Sequence, residues 1–155
     1  IKKRFIEVCN RIASDKEDFL LSCQQIVEIL SNTAALDRKI EAQYIYLNGL
    51  AVSMQEFIKE NAMKPQDEDF YKKKMAEYNA QKAEAEKVLH DLQDKRAARL
   101  SRKELLEGLI RTMSREGIMT NTFDAKLWLL LVEKATVGTD GKLTFTLRNG
   151  MEIEV

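Results

Sequence analysis

The sequence predicts a mainly α protein with a small antiparallel β-meander, an α+β class in which a long antiparallel helical hairpin projects from a compact helix-on-sheet base. Three observations carry that expectation. Apolar residues recur at helical spacing through most of the chain, two heptad stripes of similar length flank the single proline, Pro65, and after Ala135 the period falls to two.

Residues 1–33 read as helices of the base. Ile1, Phe5, Val8, Cys9 and Ile12 share one face, and "SDKED" offers Ser14 or Asp15 as the cap of a second helix. Phe19, Leu20, Cys23, Ile26, Val27 and Leu30 form the next stripe, before "SNTAALD" supplies a break or a fresh cap at Ser31 to Thr33.

Residues 34–100 read as the hairpin. Leu36, Ile40, Gln43, Leu47, Leu50, Met54 and Phe57 alternate steps of four and three, the spacing of a coiled-coil seam. The tip falls near 61–69, where Pro65 removes a backbone donor and Asp67 or Asp69 can cap the returning helix. The returning seam is Tyr71, Met75, Tyr78, Lys82, Ala85, Leu89, Leu92 and Arg96. Arms of roughly 25 to 30 residues span on the order of 40 Å at the helical rise. The alanines and long polar stems of "NAQKAEAEK" predict a thin seam in the second arm.

Residues 101–155 read as two helices and three strands. Ser101 and Glu104 match a capping box, which predicts a separate helix with Leu105, Leu106, Leu109, Ile110 and Met113 on its stripe and a stop at Gly117. "TNTFDAKLWLLLVEK" predicts a last helix capped near Asn121 or Thr122, apolar all round over 127–132 and therefore covered on several sides. Leu143, Phe145 and Leu147, then Met151, Ile153 and Val155, alternate between the turn signals "TDGK" and "NG". Such a meander needs a covering layer, and the Trp128 helix is the nearest in sequence.

The 155 residues suffice for one domain with an appendage, and 25 basic residues against 25 acidic ones leave no global field toward nucleic acid or an anionic membrane. No apolar run reaches the roughly 18 residues needed to span a bilayer, and the start lacks a signal-peptide core, so a cytoplasmic protein is expected. The first residue is Ile1 rather than methionine, as expected of a piece of a longer chain. Two cysteines and one histidine, His90, cannot build a four-ligand zinc site, and no Ser/His/Asp, Cys/His or glycine-rich phosphate pattern occurs. No catalytic residue, metal site or cofactor is assigned to this chain.

Local basic clusters remain as candidates for phosphate contact: Lys2, Lys3 and Arg4 at the start, then Arg96, Arg99, Arg102, Lys103, Arg111 and Arg115. The interspersed Asp94, Glu104, Glu107 and Glu116 also allow a plain solvated helix face. At the hairpin tip, Met63, Pro65, Phe70 and Tyr71 offer apolar surface to a partner protein or a second copy.

"FDAKLWLLLVEKATVGTDGKLTFTLRNGMEIEV" resembles the C-terminal segment of large serine recombinases, through Phe123, Asp124, Leu131, Val132, Glu133, Lys134, Val137, Gly141, Gly150, Glu152, Ile153 and Val155. That family also inserts an antiparallel coiled coil into its DNA-binding zinc-ribbon domain, in the position and order of residues 36–100. The resemblance implies a noncatalytic fragment of a bacterial mobile-element integrase or transposon recombinase. The serine nucleophile and the zinc of the parent would lie upstream of Ile1. It further implies double-stranded DNA attachment sites as partner, self-association through the coiled coil in synapsis, and a recombination directionality factor as a further partner, with no membrane role. Cys9 and Cys23 sit on helical stripes rather than in a zinc knuckle, so zinc ligation is not transferred to them. Without the recombinase likeness, the same features read as a cytoplasmic coiled-coil adaptor with no DNA role.

Overall fold

The structure, a computed structural model, describes residues 1–116, 118–139 and 141–155. It is mainly helical with one small sheet: α1 (Lys2–Ser14), α2 (Lys16–Ser31), α3 (Ala34–Met63), α4 (Glu68–Glu116), α5 (Ala125–Leu131), β1 (Val132–Val137), β2 (Leu143–Leu147) and β3 (Glu152–Glu154). The chain divides into two compact units. One joins Ile1–Asn32 to Arg99–Val155, and the other is Thr33–Ala98.

The core of the discontinuous unit draws on every one of its elements. Phe5, Val8, Cys9 and Ile12 from α1 meet Phe19 and Cys23 from α2, Leu106, Leu109 and Met113 from α4, and Leu131, Phe145 and Leu147 from the C-terminal segment. Phe5 lies 5.0 Å from Trp128 and 6.4 Å from Phe145 between ring centroids, so α1 as well as α5 covers the sheet. Covering the sheet with α5 alone would not have sufficed, because α5 is two turns long and buries only Leu127 and Leu131. For the same reason the expected burial of 127–132 on all sides is not found: Leu129 is 64% exposed.

The sheet is antiparallel in the order β1-β2-β3, with Phe145 opposite Ala135 on one side and Ile153 on the other. β1 starts at Val132, ahead of the change of period expected after Ala135, and a bulge between Val132 and Lys134 absorbs the change of register. The "NG" turn forms as expected, with Gly150 at φ +87° donating to the Leu147 carbonyl. In the "TDG" turn Gly141 has φ +79°, while Asp140 lies outside the described residues, as does the helix stop expected at Gly117. Asn149 does more than turn the chain. It is 5% exposed, donates to Ser22 Oγ at 3.3 Å and accepts from Met151 N at 3.2 Å, which fastens the β2–β3 turn to α2.

Two helix boundaries differ from the sequence reading. The separate helix expected from Ser101 is absent, because α4 runs through that residue to Glu116. A capping box starts a helix only where the preceding chain is not helical, and "DKRAARL" contains good helix formers and no breaker. The cap of α5 is Asp124 rather than Asn121 or Thr122. Its Oδ1 accepts from Lys126 N at 2.7 Å and Leu127 N at 3.3 Å, leaving Thr120 and Thr122 to bond each other.

In the second unit, α3 and the first part of α4 pair through the predicted seam. Leu36, Ile40, Gln43, Leu47, Leu50, Met54 and Phe57 are half-buried, as are Tyr71, Met75, Tyr78, Leu89 and Leu92. Ala85 is buried and Lys82 is exposed, so the seam is thinnest in the middle of the second arm. At one end Arg96 Nε donates to Asp37 Oδ1 at 2.6 Å, and the Thr33 hydroxyl donates to Asp37 Oδ2 at 2.7 Å. At the other, Asp67 Oδ1 accepts from the backbone of Asp69 and Phe70, capping α4.

Candidate nucleic-acid and partner interfaces

Each basic candidate is defined by what its side chain already holds. Lys2 Nζ stands 5.1 Å from the centroid of the Phe123 ring, and Arg4 pairs with Glu7 at 2.8 Å. Arg99 Nη2 and Nε donate to the carbonyls of Ile29 and Leu30. The last turn of α2 has no basic residue of its own, so Arg99 supplies the cation that the negative end of the helix favours. Arg102 directs Nε and Nη2 at the Arg148 carbonyl, at 3.2 and 2.9 Å. Arg148 in turn donates through Nε to the Leu129 carbonyl at 2.8 Å. These guanidiniums tie α4, the β2–β3 turn and α5 together. Lys103 lies 3.7 Å from Glu107, and Arg96 belongs to the Asp37 pair in the other unit.

Lys3, Arg111 and Arg115 remain. All three are exposed and make no ion pair among the described residues. Arg111 and Arg115 stand one turn apart on α4 and therefore share a face. Their charges are the ones free to neutralise phosphate without dismantling an internal contact.

Among the protein-interaction candidates, Met63 is 83% exposed and Phe70 49% exposed. Pro65 is exposed as well. Tyr71 is half-buried and stacks on Phe57 with centroids 5.5 Å apart, while Phe70 meets the same ring edge-on at 6.4 Å. The aromatic packing joins the two arms next to the tip, where Met63 stands exposed. Sequence reasoning misses a second apolar region on α3, where Tyr44, Ile45, Tyr46 and Val52 are exposed. Their signal is present, since they are apolar residues at positions outside the heptad seam.

Cys9 and Cys23 are both buried thiols. Burial pushes both thiols up to about 11, aided at Cys9 by the charge of Asp124 and partly offset at Cys23 by a hydrogen bond with Asn149. No group of three His, Cys, Asp or Glu side chains that could hold a metal occurs among the described residues. His90 sits on the exposed face of α4 beside Asp94, 3.1 Å away. No helix among the described residues is long and apolar enough to cross a membrane.

Comparison with known protein families, curated proteins and solved structures finds no match to this chain.

Proposed function

We propose that the chain is a noncatalytic C-terminal part of a serine site-specific DNA recombinase of the mobile-element type. In this reading it contributes to DNA binding and, through the helical hairpin, to synapsis and directionality control. The observation that supports this most is the interruption of one core by the hairpin. Residues 1–32 and 99–155 build a single hydrophobic unit, and 33–98 form a second unit of two paired helices. This is the order implied by the resemblance of residues 123–155 to the closing segment of such recombinases. Synapsis needs an exposed docking surface separate from the DNA-binding residues, and Met63 and Phe70 at the tip fit that role.

A coiled-coil adaptor without a DNA role is the second reading. It is favoured by the six of nine basic candidates whose side chains are engaged within the chain, Lys2, Arg4, Arg96, Arg99, Arg102 and Lys103. Anisotropy of a labelled DNA duplex across a salt series separates the two. Each neutralised phosphate adds about −0.9 to the slope of log affinity against log salt, so Arg111→Glu with Arg115→Glu is expected to make the slope shallower by about 1.8. Met63→Asp, at the tip, serves as the control and leaves DNA affinity unchanged. Affinity that ignores both salt and the double substitution would leave the adaptor as the better account.

A further inference from the structure

A cleft of about 610 Å³ opens in the discontinuous unit between the α1–α2 corner and β3, and nothing in the DNA reading uses it. One wall is a strand edge. β3 is last in the sheet order, and Leu143 and Val155 exchange both backbone hydrogen bonds, while Leu147 N donates to the Met151 carbonyl. By antiparallel alternation, Glu152 and Glu154 therefore turn their N–H and C=O groups away from β2. The Glu154 carbonyl does face across the cleft, because Arg11 Nη1 reaches it at a long 3.5 Å. Such an edge, left without a strand, is a template for another chain.

The remaining walls specify what kind of chain. Ile12 and Phe19, each 3% exposed, form an apolar floor. Asp15 and Asp18 stand at the rim, are exposed, and make no ion pair among the described residues. Glu152 and Glu154 add two more carboxylates, of which Glu154 is paired with Lys142. Arg11 is the one cation among the described residues of the lining, and its guanidinium already lies against the Glu154 carbonyl.

We infer that this cleft binds an extended basic peptide, with alternating apolar and Lys or Arg residues, as a fourth strand on β3. Its backbone would bond the outward groups of Glu152 and Glu154, its apolar side chains would lie on Ile12 and Phe19, and its cations would meet Asp15 and Asp18. The strand would take over the Glu154 carbonyl from Arg11. This inference is independent of the recombinase reading and of any DNA affinity.

The test uses the whole chain and two labelled heptapeptides, Lys-Val-Lys-Val-Lys-Val-Lys and its glutamate counterpart. Anisotropy measures affinity, and amide shifts in a nitrogen-15 spectrum locate the peptide. Expected are salt-sensitive binding of the lysine peptide alone and shifts confined to residues 11–22 and 151–155. Asp15→Asn with Asp18→Asn should weaken binding about three- to tenfold, the worth of two exposed ion pairs. Arg11→Ala should strengthen it by releasing the carbonyl. Glu154→Pro removes an outward N–H while Ile153, already extended, tolerates a following proline, so binding should be lost with the sheet intact. Should Glu154→Pro fail to fold, the aspartate pair decides. No binding at millimolar lysine peptide, equal binding of the glutamate peptide, or shifts confined to other residues would overturn the inference.

Discussion

The two units hold themselves together by different means. In the discontinuous unit Phe5, Leu106, Leu109, Met113, Leu131, Phe145 and Leu147 have no exposed surface at all, whereas in the hairpin Ala85 alone is buried and α3 has no buried residue. A three-dimensional core removes whole side chains from water, while two paired helices can cover only one face of each other. The core unit is therefore sensitive to single truncations. The hairpin spreads its stability over many half-buried contacts, helix propensity and end contacts such as Asp37 with Arg96.

The largest expected effects break that comparison directly. Phe5→Ala removes a ring packed against Phe123, Trp128 and Phe145 and should cost about 3–5 kcal/mol in chemical denaturation followed by the nearby Trp128 fluorescence. Phe57→Ala, a half-buried ring in the hairpin, should cost only about 1–2 kcal/mol, seen as lost amide protection in 33–98 and not in the core unit. Equal costs would show that the hairpin has a core of its own.

A smaller effect has the opposite sign. Nothing lies within 4 Å of the place a Cβ would occupy at Gly49, in the middle of α3. Gly49→Ala should therefore stabilise the hairpin by about 0.5–1 kcal/mol, read as slower hydrogen exchange along α3. A loss on substitution would mean that this face is closely packed after all.

The smallest effect is electrostatic. The hydrogen bonds from Arg96 and then Thr33 hold the Asp37 carboxyl below its ordinary value of 3.8. A lowered folded pKa means the contribution is complete above that ordinary value and is lost as the pH falls through the folded one. Acid titration of the helical circular dichroism should show this loss, and Asp37→Asn should remove it. An unchanged acid limb in the variant would show that this pair does not stabilise the hairpin.

How much of this was legible beforehand depended on whether the relevant signal is local. The seam from Leu36 to Phe57 was readable because a heptad is a statement about neighbours three and four positions away. The strand faces at Phe145, Leu147 and Ile153 were readable for the equivalent reason. The uninterrupted course of α4 was not, since Ser101 and Glu104 carry a start signal that only the preceding helical turn cancels. The basic candidates were hardest. Arg99 and Arg102 bond carbonyls 69 and 46 positions away, and no run of charges reveals which guanidiniums are already taken. Nor could the cleft be foreseen, because its walls come from opposite ends of the chain.

The tie between Asp37 and Arg96 has a consequence for chain entropy. The core must bring residue 32 and residue 99 into one unit, and an unstructured loop between them would charge the full closure entropy of a long segment. In the folded chain the paired arms, with Asp37 bonded to Arg96, hold the two ends of the insert together within the insert itself. The core then sees a short link rather than a long loop. Whole heptads can accordingly be added to or removed from both arms with little effect on whether the first 32 residues find the last 57.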